Sequence, residues 1–457
     1  MNKTPVIAIF DVGKTNKKLL LFDEHYQLVQ EQSKQFAEIK DEDGFECEDV
    51  HALTRWIKDS FETLLIDEKF AVKAVNFSAY GASFVYLDEA LNVCLPLYNY
   101  LKPYSPQLQK QFYDRYGGES KLAKQTASPV LGNLNSGMQL YRLKYEQPAD
   151  FALIKYALHL PQYLSFILTG KIYADITSIG CHTNLWNFEN NQYHAWVSEE
   201  GIDAKLPPVV SCSAIAGYVN NTIPAGVGLH DSSAALIPYL AAFQEPFILL
   251  STGTWCISLN PFNQSPLTTE ELENDCLCYI SYEGKPIKAS RLFAGYEHEQ
   301  QVKRIAAHFK QQADHYKDIP FDAVLIEQLK IRFPSQNTGV DLKASAFVQR
   351  DLSQFETDTA AYHQLILDIM QQQYCSTQLA LKGTTVTRIF VDGGFSKNAI
   401  YMNLLAMYFP GMEIFAASMA QATAIGTALS IHHAWNTKRL PSDIIELKHF
   451  VTTHHIV

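Results

Sequence analysis

No uncharged apolar stretch of this chain is long enough to span a bilayer, so no membrane helix is expected. Basic residues are in deficit: 37 Lys and Arg against 48 Asp and Glu leave a formal net charge of -11. A nucleic-acid binder needs a basic face, and that class is not expected. A local lysine cluster can still attract a nucleotide against a negative surface. Cysteine is sparse, with eight scattered residues, and only Cys276 and Cys278 lie close together. No second pair completes a metal site, so reduced thiols in a cytoplasmic protein are expected. A signal peptide is not expected either: Asp11 interrupts the first apolar run and no small-residue cleavage site succeeds it. The pairs His432-His433 and His454-His455 read as exposed or capping residues rather than metal ligands. One further absence matters. Gly13-Lys14-Thr15 is the tail of a phosphate-binding P-loop, but the glycine required five places earlier is Ala8.

Beyond this turn the chain continues as KKLLLFD, an apolar run ending in Asp23-Glu24, which predicts a returning strand and makes the turn a hairpin tip. At 457 residues, 47% hydrophobic and 19% charged, the chain suits a globular protein of two or three domains. An amphipathic helix is predicted over Asp49–Asp67, then strands over Ala71–Gly81 and Ala82–Tyr100. A mostly helical region spans Ser105 to Gly170, and Lys205–Leu229 reads as loops and short strands. The alternation predicts an α/β architecture.

A boundary is predicted near Ile237–Phe247, dividing the chain into domains 1–240 and 241–457. Just after it, FILLSTGTWCISLN (Phe247–Asn260) echoes VIAIFDVGKTNKKLLLFD (Val6–Asp23) as strand, turn and strand. This suggests a duplicated fold with a ligand between the halves, although hairpins are common enough to coincide. In RIFVDGGFSKNAIYMNLLAMYF (Arg388–Phe409) an apolar strand meets Gly393-Gly394, and Ser396 is placed to cap a helix. Paired glycines admit a flat ligand to the backbone, or simply serve an ordinary βα turn. Gln421–Trp435 reads as a closing helix whose small residues permit close packing.

These segments occur in a set order: the DVG hairpin, GLHDSSAAL (Gly228–Leu236), LSTGTW (Leu250–Trp255), VDGGFSKN and ATAIG. In that order, across nearly the whole chain, they resemble the FGGY carbohydrate kinases of the actin-like ATPase superfamily. LPQYLSFILTGKIYADITSIGCHTNLWNF (Leu160–Phe188) resembles the rhamnulokinase-like members in particular. The resemblance implies two actin-like (ribonuclease H-like) ATPase domains with an interdomain cleft, ATP and Mg²⁺ as cofactors, and a ketose as acceptor. It leaves room for a homodimer. It implies that Asp11 helps hold Mg²⁺ and that Gly13, Lys14, Thr15, Asn16, Lys17 and Lys18 meet the phosphates. Lys18 stands where relatives often carry arginine and supplies a point charge in place of a bidentate fork. At least one of Lys14 and Lys17 can simply be solvated.

The resemblance further places Asp231 at the general-base position, a role its carboxylate also suits as a helix N-cap in a cleft. His230, Gly81, Ser232 and Arg291 fall at the sugar, with a structural histidine as the other reading of His230. Thr254 matches the second phosphate contact, Gly393 and Gly394 the adenosine, and Asn398 and Glu299 further nucleotide contacts. Arg291 and Glu299 depart from the asparagine and glutamine that relatives usually carry. L-Rhamnulose leads as the acceptor, with L-fuculose, L-xylulose and ribulose open. The competing readings are an actin-like ATP-binding module acting through partners, and a phosphatase or acetate-kinase relative.

Overall fold

A computed structural model describes residues 3–334, 339–418, 421–441 and 444–451. Val6–Phe10 is a continuous apolar run buried on both faces, as a central strand requires. It belongs to Thr4–Val12, which pairs antiparallel with Lys17–Asp23 across the turn and parallel with Phe70–Ala79 on its other edge. Leu28–Lys34 continues one side of this sheet, and Ile223–Gly226 and Ile215–Val219 the other. The opening hairpin is therefore a strand return, and no helix starts at Gly13.

The second half repeats the plan. Phe247–Thr252 and Cys256–Asn260 form an antiparallel hairpin, extended by Pro286–Leu292 and Cys276–Ile280. Arg388–Gly393 lies parallel to Phe247–Thr252, with Glu413–Ser418 beyond it. In both sheets the first strand of a hairpin pairs in parallel with a strand from later in its own half. The two hairpin tips thus occupy equivalent places, and the echo between the two stretches of sequence is a true repeat of topology.

Two helices join the halves. From Asp231–Ala242, Ala234 and Ile237 pack with Ile7, Ile9, Leu20 and Phe22 of the first sheet. Leu236 and Tyr239 of the same helix pack with Phe247, Leu249 and Phe390 of the second. Ala422–Ser430, late in the chain, lies on the first sheet. The two helices approach so closely that a Cβ on Gly426 would stand 1.9 Å from the Ala234 carbonyl oxygen. A buried Leu, Ile or Phe side chain contributes about 1.5–3 kcal/mol, so these shared clusters anchor the base of the cleft.

The helix expected over Asp49–Asp67 is Val50–Ile66, with Asp49 accepting the Ala52 N–H at 2.8 Å. Other expectations change. Ala82–Tyr100 is strand only over Phe84–Leu87, because Asp88 then accepts the Asn92 N–H in a turn that puts Leu91 at positive φ. Ser396 caps no helix: it sits in the short turn Gly394–Lys397 and donates to the Gly393 carbonyl. Asn398 caps Ala399–Tyr408 instead. The closing helix stops at Ser430, and His432 is half-buried, bonded to the Tyr26 hydroxyl at 2.6 Å. His454-His455 lies outside the described residues. All eight cysteines are free thiols, and no described helix is long and apolar enough to cross a membrane.

Candidate active site

Strand alternation sorts the opening hairpin into two faces. Ile7, Ile9 and Asp11 share one face, and the register Asp11↔Lys18 puts Lys18 there too, while Val12↔Lys17 faces the other way. The consequence for Lys17 is a correction. Its ammonium is buried beneath the sheet against Glu48 and donates to the Lys14 carbonyl at 2.9 Å, away from the face where phosphate was expected. Lys14 is ion-paired with Glu38 at 2.8 Å, and Asn16 Oδ1 accepts from Gln35 at 2.7 Å. Thr15 stands exposed at the tip. Gly13 needs no positive φ; a Cβ there would lie 3.1 Å from the Asn16 carbonyl, tight but short of a clash.

Three strand ends bring two carboxylates together. Asp11 is in register with Ser78, and Ser78 with Leu229, two residues before Asp231. Ser78 Oγ donates to Asp11 at 2.8 Å. Burial pushes the Asp11 carboxyl up to about 6 against that hydrogen bond, and the Asp231 charge adds to the rise. Lys18 lowers it less, being ion-paired with Glu31 at 2.8 Å. Asp231 opens its helix with a third of its side chain still exposed, 33%. The Ser232 N–H donates to its Oδ1 at 2.6 Å and the Ser232 hydroxyl at 3.2 Å, yet burial pushes this carboxyl up to about 6 as well.

Behind Asp231, His230 is buried, and burial drives its pKa down to about 3. The 3.2 Å contact from its Nε2 to Asp231 Oδ1 is therefore between a neutral ring and a carboxyl group. The same nitrogen is 3.2 Å from Cys181 Sγ. A Cβ on Gly81 would stand 3.0 Å from that nitrogen, so the room the glycine leaves is taken by the imidazole rather than left for a sugar. Across the junction, Arg291 donates to Asp275 from Nη2 at 2.7 Å and Nε at 3.2 Å, its guanidinium 5.1 Å from the Trp255 ring.

A cavity of about 620 Å³ opens in the second half beside the second hairpin, lined by Thr252, Gly253, Gly295, His298, Gly394 and Asn398 among others. Backbone meets backbone here. A Cβ on Gly393 (φ +88°) would be 2.0 Å from the Thr252 carbonyl oxygen, and one on Gly295 1.8 Å from that of Gly253. Thr254 is exposed next to it, its carbonyl accepting the Tyr296 N–H at 3.1 Å. Asn398 lines the cavity with its amide already committed, donating to Tyr362 Oη at 2.6 Å and accepting the Tyr401 N–H at 3.0 Å.

Glu299 is also corrected. It is exposed, paired with Lys303 at 2.6 Å one turn along, and lines no part of the cavity. The residue that sequence reasoning missed is His298, whose ring is 3.0 Å from the Tyr362 hydroxyl and held neutral, near 4, by burial. Helical spacing gave no signal for it, since His298 and Glu299, three and four residues after Gly295, both share its face.

Among the described residues no group of three or more His, Cys, Asp or Glu could by itself enclose a metal. Asp11, partly exposed at the strand end, still fits Mg²⁺, which keeps several waters and takes as few as one carboxylate plus phosphate oxygens.

Comparison with known proteins gives a consistent result. The model of the FGGY family of carbohydrate kinases, N-terminal domain, matches residues 6–236, and that of carbohydrate kinase FGGY, C-terminal domain, residues 244–439. A rhamnulokinase of Mannheimia succiniciproducens is 24% identical, covering 99% of this chain and 96% of its own. A probable L-xylulose kinase of Pasteurella multocida is 25% identical over 63% of this chain and 61% of its own. A carbohydrate kinase from Novosphingobium aromaticivorans superposes with a TM-score of 0.80 at 22% identity, over 99% of this chain and 95% of that one.

Proposed function

Since the chain belongs to the FGGY family of carbohydrate kinases, we propose that it transfers the γ-phosphoryl group of ATP to a hydroxyl of a ketose, L-rhamnulose or a related deoxyketose such as L-fuculose. One observation carries the reading: two carboxylates, Asp11 at the end of a strand and Asp231 at the start of a helix, meet where the opening hairpin reaches the helix that joins the halves. In the proposed reaction the acceptor oxygen attacks the γ-phosphorus, the bond to the ADP oxygen breaks, and Asp231 accepts the hydroxyl proton. A carboxyl group pushed up to about 6 is ionised at neutral pH, yet is a stronger base than an ordinary aspartate. Asp11 would hold the Mg²⁺, which when bound supplies charge neutralisation at the phosphates.

Thr15, Lys18, Thr254 and backbone N–H groups of the two tips would contact phosphate, and Gly393, Gly394, Asn398 and His298 the nucleoside. His230, Ser232 and Arg291 would border the acceptor. Closure over both substrates would exclude water, so ATP hydrolysis without sugar is expected to be slow. The resemblance of Leu160–Phe188 and the full-length rhamnulokinase relative favour L-rhamnulose; the partial L-xylulose kinase match keeps L-xylulose in the set. An ADP-release assay over L-rhamnulose, L-fuculose, L-xylulose and ribulose tests the reading. Fast ADP release without any sugar, unchanged by all four, would overturn it.

A further inference from the structure

The stretch after the helix Ile176–Ile179 contains two non-glycine residues at positive φ, His182 at +36° and Asn184 at +62°. Neighbours hold this backbone in place. Asn135 Nδ2 donates to the His182 carbonyl at 2.8 Å, Gly137 N–H to that of Thr183 at 2.8 Å, and Trp196 Nε1 to that of Asn184 at 2.8 Å. Strain kept by such bracing is a feature of ligand sites.

The side chain it presents is unusual in a second way. His182 is only 7% exposed, yet its Nδ1 is buried with no hydrogen-bond partner. The carbonyls of His182 and Leu134 lie near the ring, and burial followed by the Arg291 charge keeps it neutral. Buried polar atoms in native proteins are normally bonded, so an unpartnered one calls for an explanation. The ring lies edge-on to His230 at 6.4 Å and to Tyr279 at 6.0 Å, and within reach of the Arg291 charge.

We propose that His182 is a specificity-determining residue that hydrogen-bonds a hydroxyl of the sugar acceptor other than the one phosphorylated. The proposal rests on the sugar-kinase reading of this same site. A neutral imidazole offers one donor and one acceptor, and a hydroxyl group offers the complementary pair. Being one ring beyond His230, His182 reaches a part of the acceptor remote from Asp231. It therefore acts on affinity and discrimination rather than on proton transfer.

Two variants test this on the full chain. His182→Phe keeps a ring of similar size and removes both hydrogen-bonding nitrogens; His182→Asn keeps a donor and an acceptor on a residue that tolerates positive φ. For His182→Phe the KM of the best ketose should rise about 10–100-fold, with kcat within about 3-fold and the KM for MgATP unchanged. His182→Asn should show a smaller rise. Wild type should also discriminate against a deoxy analogue lacking the contacted hydroxyl, and His182→Phe should not, a difference that loss of packing alone would not produce. A wild-type ketose KM in folded His182→Phe overturns the proposal. Should that variant not fold, an unchanged ketose KM in His182→Asn overturns it. If wild type itself turns over no sugar of the panel, the sugar-kinase reading fails; normal wild-type turnover with insensitive variants removes only the role of His182.

Discussion

The two hairpin tips hold equivalent places in their sheets and differ in kind. The first carries Asp11, Lys14, Lys17 and Lys18 around its turn; the second, Ser251–Trp255, carries no charge. Around the first, side chains set the electrostatics, and all three lysines are already answered by Glu38, Glu48 and Glu31. Around the second, glycines let backbone approach backbone, and the cavity beside it is defined by shape. A repeated topology has thus been divided between charge and shape: one half presents ionisable groups, the other a cavity of about 620 Å³ walled by closely approaching backbone.

This division can be broken from either side. The largest effect is expected on the charged side: Asp231→Asn should lose about 10²–10⁴ in kcat while MgATP still binds, read by ADP release and nucleotide titration. The same variant should melt at or above the wild-type temperature at pH 7.5. A carboxyl raised to about 6 from 3.8 costs stability above pH 6, and that cost disappears as pH falls below 3.8. The asparagine escapes it, so a large drop in melting temperature would contradict the assignment.

Next come the two neighbouring lysines. Lys17→Met leaves the buried Glu48 without its cation and with only the Tyr80 hydroxyl donating to it; breaking a buried pair typically costs about 3–5 kcal/mol, and should appear as a lower melting temperature. Lys18→Met should leave melting nearly unchanged and instead weaken turnover or MgATP affinity. Equal melting of the two variants would undo the two-faced description of the hairpin.

On the uncharged side, Gly393→Ala forces a Cβ to within 2.0 Å of a carbonyl oxygen at φ +88° and should raise the KM for MgATP more than tenfold. Gly13→Ala, at 3.1 Å and without positive φ, should be much milder. The smallest expected effects are on pH and at Glu299. kcat/KM should fall as pH drops through about 6, a limb shared by the interacting pair Asp11 and Asp231. Ser232→Ala removes a hydrogen bond that favours the charged Asp231 and should move that limb to higher pH. Glu299→Ala should leave the KM for MgATP unchanged, whereas His298→Ala should raise it.

Much of the fold was legible because short-range chemistry announces it. Alternating and continuous apolar runs marked the hairpins, Asp49 marked a helix start, and the small residues of ATAIG marked a close helix crossing that Gly426 and Ala234 then made. The candidate site was legible in its order along the chain, since Asp11, Asp231 and Gly393-Gly394 sit in recognisable turns. What misled was one-residue precision. Ser396 and Asn398 can both cap, and only the path of the turn decided between them; Glu299 and His298 differ by one step on a helix whose orientation is a matter of packing.

Sequence alone determined the two hairpins and which turns would carry acids, lysines or glycines, because period and propensity act between near neighbours. Tertiary structure alone decided which face of the opening hairpin was buried, and so which lysine was sequestered by Glu48 and which stayed beside Asp11. It also decided that the space left by Gly81 would hold an imidazole, and that His182 would be buried with its Nδ1 unpartnered. Such outcomes depend on groups distant in sequence arriving at one place, where burial and the company of other charges set what each side chain can do.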